Sequence, residues 1–353
     1  MKLLDRYLAK YVMGATAAVL LVIVGLDLLF SLVDQLPDLS EQYDLLAAMQ
    51  YVLLTLPRRL YEFIPLSALI GCLLGLGALA SHSELTVMRS SGVSVQRIVT
   101  GVMKPVLILV LLALALGEFV VPEAEQSAQS FRSLRVAGGR ALSAGGVWHR
   151  DGNHFIHINS ASSKGVIHGV TRYEFGDDNQ LLRASFAREG RYRPDGWLLQ
   201  EVQETLFEDG QQLRSGTLAE ERWQVELTPK LLSVVVVEPG NLSMQGLWQY
   251  TDYLERQGLS ADSYKLAFWS KALQPVAILA LVLVAVSFIF GPLRSVTVGQ
   301  RLVAGIVVGL GFKFSQDMLG PASTVFGFHP LLAMLLPVVI CALAGVILLR
   351  RAG

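Results

Sequence analysis

The chain has 353 residues, 52% hydrophobic and only 16% charged, with acids and bases balanced to a net charge of zero. Soluble domains carry roughly 25% charged residues, so the composition points to a membrane, and the balanced charge removes any case for nucleic-acid binding. The two cysteines, Cys72 and Cys341, sit in apolar runs and read as small hydrophobes, and no Cys/His spacing suits zinc.

Six apolar runs are long enough to span a bilayer, which needs about 20 helical residues. They are Tyr11–Leu36, Phe63–Ala80, Val99–Val121, Leu273–Phe290, Leu302–Leu319 and Leu331–Leu349. The first is too long for a signal-peptide core and no small-x-small site follows it, so it is expected to stay. Basic residues set the orientation. Lys2, Arg6 and Lys10 precede the first run, Arg89 and Arg97 follow the second, Arg294 and Arg301 follow the fourth, and Arg350 and Arg351 follow the sixth. Both termini and the loops 81–98 and 291–301 are therefore expected in the cytosol, and 122–268 outside it.

Asp27 lies within the first run. It reads either as satisfied by a neighbouring helix or as facing a cavity. The segment 44–62 has helical periodicity ending at Pro57-Arg58-Arg59 and suits the outer interface. Between the second and third runs, Ser81 with Glu84 matches a capping box, and Gly92 is a natural stop. The short helix between them places Leu85 and Met88 on one face. It is either a ligand for a partner's groove or a plain connector whose apolar residues dip into the headgroups.

After the third run, 123–136 is helix-compatible and carries Arg132 and Arg135 one turn apart, and a glycine-rich patch follows at 137–146. That patch lacks the Gly-Lys-Ser/Thr ending of a phosphate loop. From Val147 to Val237 the period becomes two. Strands are expected at Phe155–Ile158, Val166–Phe175, Leu181–Tyr192, Trp197–Phe207, Gln212–Trp223 and Leu232–Val237, with turn residues between the earlier ones. Six or more antiparallel strands suggest a sandwich, a jellyroll or an open barrel. In the second of them, Val166, His168 and Val170 should face one way and Ile167, Gly169 and Thr171 the other.

Ser243 should cap a helix over Met244–Gln257 that ends at Gly258, and Ser260–Lys271 should lead into the fourth run. In the fifth run Lys313 and Asp317 stand four apart. They form either an intrahelical ion pair or a cation facing a cavity for an anionic lipid. There is no Walker A motif, G-x-S-x-G or HExxH and no catalytic residue set, so an enzyme reading has little support. The remaining readings are a transport or assembly subunit driven by a partner, an envelope scaffold or sensor, and a gradient-driven lipid flippase.

Leu4–Val12, Leu32–Leu36, Leu73–Gly92, Gly117–Ala128, Phe268–Pro275 and Ser287–Val296 together resemble the LptF/LptG family, the permeases of the lipopolysaccharide-export ABC transporter of Gram-negative inner membranes. The resemblance implies an α-helical membrane protein with six transmembrane helices and a periplasmic β-jellyroll domain inserted between helices 3 and 4. The implied domains are 1–121, 122–268 and 269–353. It also implies an LptF–LptG heterodimer, two copies of the ATPase LptB on the cytosolic side, a membrane helix of LptC beside the first span, and no catalysis by this chain. Lipopolysaccharide would enter between the permeases from the outer leaflet and leave toward a periplasmic bridge.

The segment 81–92 then matches the coupling helix. Glu84 and Arg89 would contact the ATPase, and Leu85 and Met88 would pack into its groove. Arg58, Arg59, Arg132 and Arg135 match basic residues that hold lipid A phosphates. Where some relatives carry lysines at the end of the first span, this chain has Ser31, Pro37 and Asp38, which leaves Lys313 as the candidate replacement.

Overall fold

A computed structural model describes residues 3–40, 43–136, 147–162, 165–176, 178, 180–193, 196–208, 211–223, 238–256, 260–291 and 296–352. The glycine-rich patch 137–146, the strand expected at 232–237, the glycine at 258 and part of the loop 291–301 lie outside the described residues. So do parts of the turns after 176, 193 and 208. The chain divides into two compact units. One comprises Met1–Leu29, Leu56–Val121 and Ser243–Gly353, and the other Phe30–Thr55 and Pro122–Leu242.

The helical unit contains helices long and apolar enough to cross a membrane, six in the described chain. They are α1 (Leu3–Asp34), α3 (Leu56–Ser81), α5 (Val95–Ala115) with its continuation, and three C-terminal helices. A short helix of the other unit, α2 (Leu45–Leu54), precedes α3 in the chain, and α4 (Glu84–Ser90) precedes α5. Asp44 starts α2 by accepting a hydrogen bond from the Ala47 amide at 2.9 Å. The expected helix over 44–62 is broken at Thr55, and Pro57-Arg58-Arg59 opens α3 instead of ending α2. Proline has no N–H to lose in a first turn and presets the helical φ, which explains the shift.

Past Ala115 the third span widens into a π turn, Leu116–Val120, and continues as α6 (Val121–Val136). After the sheet comes a shorter helix, α7 (Met244–Arg256), and then the three C-terminal spans, α8 (Asp262–Phe290), α9 (Val298–Phe326) and α10 (Pro330–Ala352). Ser243 caps α7 as expected, accepting from the Gly246 amide at 3.0 Å. Thr297 and Gln300 close a reciprocal capping box on α9. The core of this unit runs through Ile64, Leu69, Leu73 and Leu76 of α3, Ile98 and Val102 of α5, and Ile278 and Val282 of α8.

In the other unit, six strands form one antiparallel sheet in consecutive order: β1 (Val147–Asp151), β2 (His154–Ser162), β3 (Val166–Phe175), β4 (Leu181–Arg193), β5 (Gly196–Glu208) and β6 (Gln211–Trp223). Of the architectures expected, this open, jellyroll-like meander is the one observed. Ile156, Ile158, Ile167, Val170, Ala187, Trp197, Leu199, Val202 and Trp223 form its core. The alternation expected along β3 fails at one point, because Ile167 and Val170 are buried in the same cluster. Gly169 between them has φ +64°, and a Cβ there would meet the Asn159 side chain at 2.2 Å. Only glycine takes that conformation and that approach at low cost, and it re-aims the strand.

Candidate coupling helix and basic residues

The turn into α4 is built differently from the expected capping box. Ser81 belongs to the end of α3, where its hydroxyl donates to the Ala78 carbonyl at 2.8 Å. The chain reverses at Ser83, which has φ +62° and makes no side-chain cap. Capping side chains usually reach the first-turn amides from the extended region, which Ser83 leaves, and α4 begins at Glu84. The stop is as expected. Gly92 has φ +87°, and the amides of Gly92 and Val93 return to the carbonyls of Arg89 and Met88 at 3.0 and 3.1 Å.

The faces of α4 differ from the reading that gave Leu85 and Met88 to a partner's groove. Leu85 is 4% exposed and belongs to the helical core, with Met88 packed against the same cluster. A seven-residue helix has too little cohesion of its own, and burying one apolar face on the spans holds it in place. Val87, 61% exposed, is the apolar side chain that α4 offers outward. Glu84 is half-buried and accepts a 2.7 Å hydrogen bond from the Tyr7 hydroxyl on α1. Arg89 is half-buried in the last turn.

The expected phosphate-binding set falls in both units. In the helical unit, Arg58 pairs with Glu62 at 3.2 Å. Arg59, 7% exposed, forms an ion pair with Asp27. Asp27 is therefore satisfied by a neighbouring helix, the first of its two readings. Lys313 pairs with Asp317 at 3.0 Å as the i,i+4 spacing allows, and its side chain is 66% exposed. In the other unit, Arg132 pairs with Asp38 and stacks over the Tyr51 ring at 5.5 Å. Arg135 is exposed and lies over the Phe131 ring at 4.7 Å. Every guanidinium or ammonium of the set thus has an acid or an aromatic face beside it.

Several polar ties in the helical unit went unread in the sequence. Asp5 is fully buried and accepts from Arg97 at 2.5 Å and Lys104 at 2.7 Å, joining α1 to α5. Glu118, in the π turn, accepts from the Met244 amide at 2.8 Å and so satisfies the start of α7. Lys271 is 6% exposed and donates to the Gly117 carbonyl at 2.8 Å. A Cβ at Gly117 would meet the Tyr61 ring at 2.5 Å. Arg301, read from the sequence only as an orientation charge, is 2% exposed and donates to the Gly77 carbonyl at 2.7 Å. The sequence signal for Lys271 was a lone cation beside an apolar run; nothing local announced its partner 154 positions away.

Comparison with known proteins agrees with this architecture. The model of the family described as "Lipopolysaccharide export system permease LptF/LptG" matches residues 6–351. The lipopolysaccharide export system permease protein LptG of Escherichia coli (strain K12) is 38% identical over 338 residues, covering 95% of this chain and 94% of the relative. The protein of the same description from Haemophilus influenzae (strain ATCC 51907 / DSM 11121 / KW20 / Rd) is 36% identical over the same shares. Six bilayer-length helices, a sheet inserted between the third and fourth, and a match across nearly the whole length place the chain in the lipopolysaccharide export system permease LptF/LptG family.

Proposed function

We propose that this chain is the non-catalytic permease half of an ATP-driven exporter that takes lipopolysaccharide from the outer leaflet of the inner membrane and passes it toward a periplasmic bridge. LptF would complete the permease pair, an LptB dimer would hydrolyse ATP on the cytosolic side, and LptC would add a membrane helix. Both termini and α4 would lie in the cytosol, with the sheet in the periplasm. The basic residues that follow the second span, Arg89 and Arg97, and that end the sixth, Arg350 and Arg351, support that orientation.

The observation that carries the reading is α4. It is a short helix between two spans, anchored inward by Leu85 and presenting Val87 outward with Glu84 and Arg89 beside it. In this assignment Glu84 and Arg89 meet charges of the ATPase, Met88 lies at the edge of the contact, and Leu85 supports the helix from behind. Arg58, Arg132, Arg135 and Lys313 are assigned to lipid A phosphates. Each is partly or largely exposed, so a phosphate can take the place of its present carboxylate or aromatic neighbour. Arg59, buried against Asp27, is assigned instead to holding α3 beside α1. That pairing also weighs against a gradient-driven carrier built on Asp27.

The test is Glu84→Lys in the full complex. The expected result is loss of ATPase co-purification and of export, with membrane insertion intact. Normal export by this variant contradicts the coupling assignment.

A further inference from the structure

The two spans least covered by the rest of this chain are α1 and α9. Both are nevertheless tied, at one end, to α4 or to the last turns of α3 that lead into it. On α1, the Tyr7 hydroxyl donates to Glu84 at 2.7 Å. On α9, Arg301 donates to the Gly77 carbonyl at 2.7 Å, four residues before α3 ends. Arg301 also heads a ridge of small residues spaced by four. Gly305 admits Leu73 and Ile70 of α3, and Gly309 admits Leu66 and Leu69. On its other contact α3 carries Gly71 and Gly75, which let the α1 backbone approach at Thr16 and at Tyr11 and Val12. Glycines of this kind let membrane helices pack backbone to backbone, held by van der Waals contact. A buried guanidinium adds a directional tie, because drawing it off the Gly77 carbonyl costs the desolvation of both groups.

We propose that Arg301 is a positioning residue for coupled transport. It locks α9 to the end of α3, so that a displacement of α4 moves α9, while the Tyr7–Glu84 hydrogen bond does the same for α1. This deepens the assignment of α4 as the ATPase-docking helix and rests on it. The motion received at α4 reaches α9 through this buried charge, and α1 through the Tyr7–Glu84 hydrogen bond together with the Arg59–Asp27 and Asp5 ion pairs.

The experiment uses the complete complex, with partner permease and ATPase, in liposomes. ATP turnover and lipopolysaccharide release are measured together. The variants are Arg301→Met and, from the other side of the contact, Gly77→Ala, whose Cβ would stand 2.9 Å from Arg301 Nη1 and 3.0 Å from its Cδ. In both, the ATPase should still co-purify and hydrolyse ATP, while lipopolysaccharide released per ATP falls about fivefold or more. Arg301→Lys, which keeps a charge and a donor, should recover part of that ratio. An unchanged ratio in Gly77→Ala overturns the proposal even if Arg301→Met fails to insert. Loss of the ATPase from the complex in Gly77→Ala also overturns it, because the defect is then in docking. Glu84→Lys fails at docking, so the two assignments fail at different steps.

Discussion

Helices α3 and α8 contrast with α1 and α9. In their most apolar stretches, 67% and 61% of α3 and α8 is buried inside the chain, against 11% and 17% of α1 and α9. All four are apolar enough to span a bilayer. The buried residues of α1 (Asp5, Leu8, Val12, Thr16, Val24) and of α9 (Arg301, Gly305, Gly309, Phe312, Gly320, Ser323) instead fall three, four or eight positions apart, on one side of each helix. Small and polar residues mark those stripes. In lipid, where every face of a helix is apolar, hydropathy reports that a helix is in the bilayer and not which side is covered; glycines and ionisable groups report the covered side.

That contrast can be broken most severely at α4, which joins the covered set through Leu85. Leu85→Asp buries an unpaired carboxylate in the helical core and should cost about 3–5 kcal/mol, read as lost yield or a lower Tm in detergent. Val87→Asp, on the outward face, should keep the Tm and lose the ATPase. Equal Tm losses would show that the two faces of α4 are not distinct.

Next comes the α1–α3 approach. Gly71→Val places a Cβ 2.4 Å from the Thr16 backbone, a clash that no rotamer relieves. It should cost about 1–3 kcal/mol. Gly14→Val, on the uncovered side with nothing within 4 Å, should leave the Tm unchanged. If both behave alike, the stripe on α1 is not its packing face. A more local effect of similar size is expected at Lys271. Lys271→Met removes a buried charged hydrogen bond to Gly117 and should cost about 1.5–3 kcal/mol. Lys313→Ala removes an exposed i,i+4 pair and should change stability by about 0.5 kcal/mol or less. It should, however, weaken lipopolysaccharide crosslinking if Lys313 is a phosphate contact.

The smallest expected effect is in the sheet, through pH. Burial holds the His157 imidazole below its usual value. At Glu221 burial pushes the carboxyl up, but hydrogen bonds and charge from Arg172 and Arg183 outweigh it and hold the carboxyl below its usual range. Unfolding returns both to ordinary proton affinity. The His157 contribution is therefore complete above about pH 6.5 and declines as pH falls below it, and the Glu221 contribution declines below about pH 4.5. A pH series of Tm should show the first decline abolished in His157→Phe.

What was legible in the sequence follows the same physics. The six spans were readable because about 20 apolar residues in a row have no soluble alternative. β3 was readable to the residue, Val166–Phe175, because turn residues bound it on both sides. The helix over 44–62 was misjudged because Pro57 is as compatible with a first turn as with a stop. At α4 the existence of the helix and its glycine stop were legible, but its inward face was not. Leu85, Val87 and Met88 are all apolar, and what separates them is the surface contributed by other spans. The second role of Arg301 is hidden for the same reason. A cation beside an apolar run looks like an orientation charge until Gly77, 224 positions earlier, is seen to accept from it.

Motion received at α4 should be delivered to α9. A distance measurement by pulsed electron resonance tests it in the assembled complex. Spin labels go at Phe326, exposed at the end of α9, and Val276, exposed on α8, in a Cys341→Ala background with the buried Cys72 left in place. Cycling the ATPase between nucleotide-free and ATP-bound states should change the 276–326 distance distribution in the otherwise native chain and leave it static in Arg301→Met, with the ATPase still bound in both. An identical change in Arg301→Met would contradict the account.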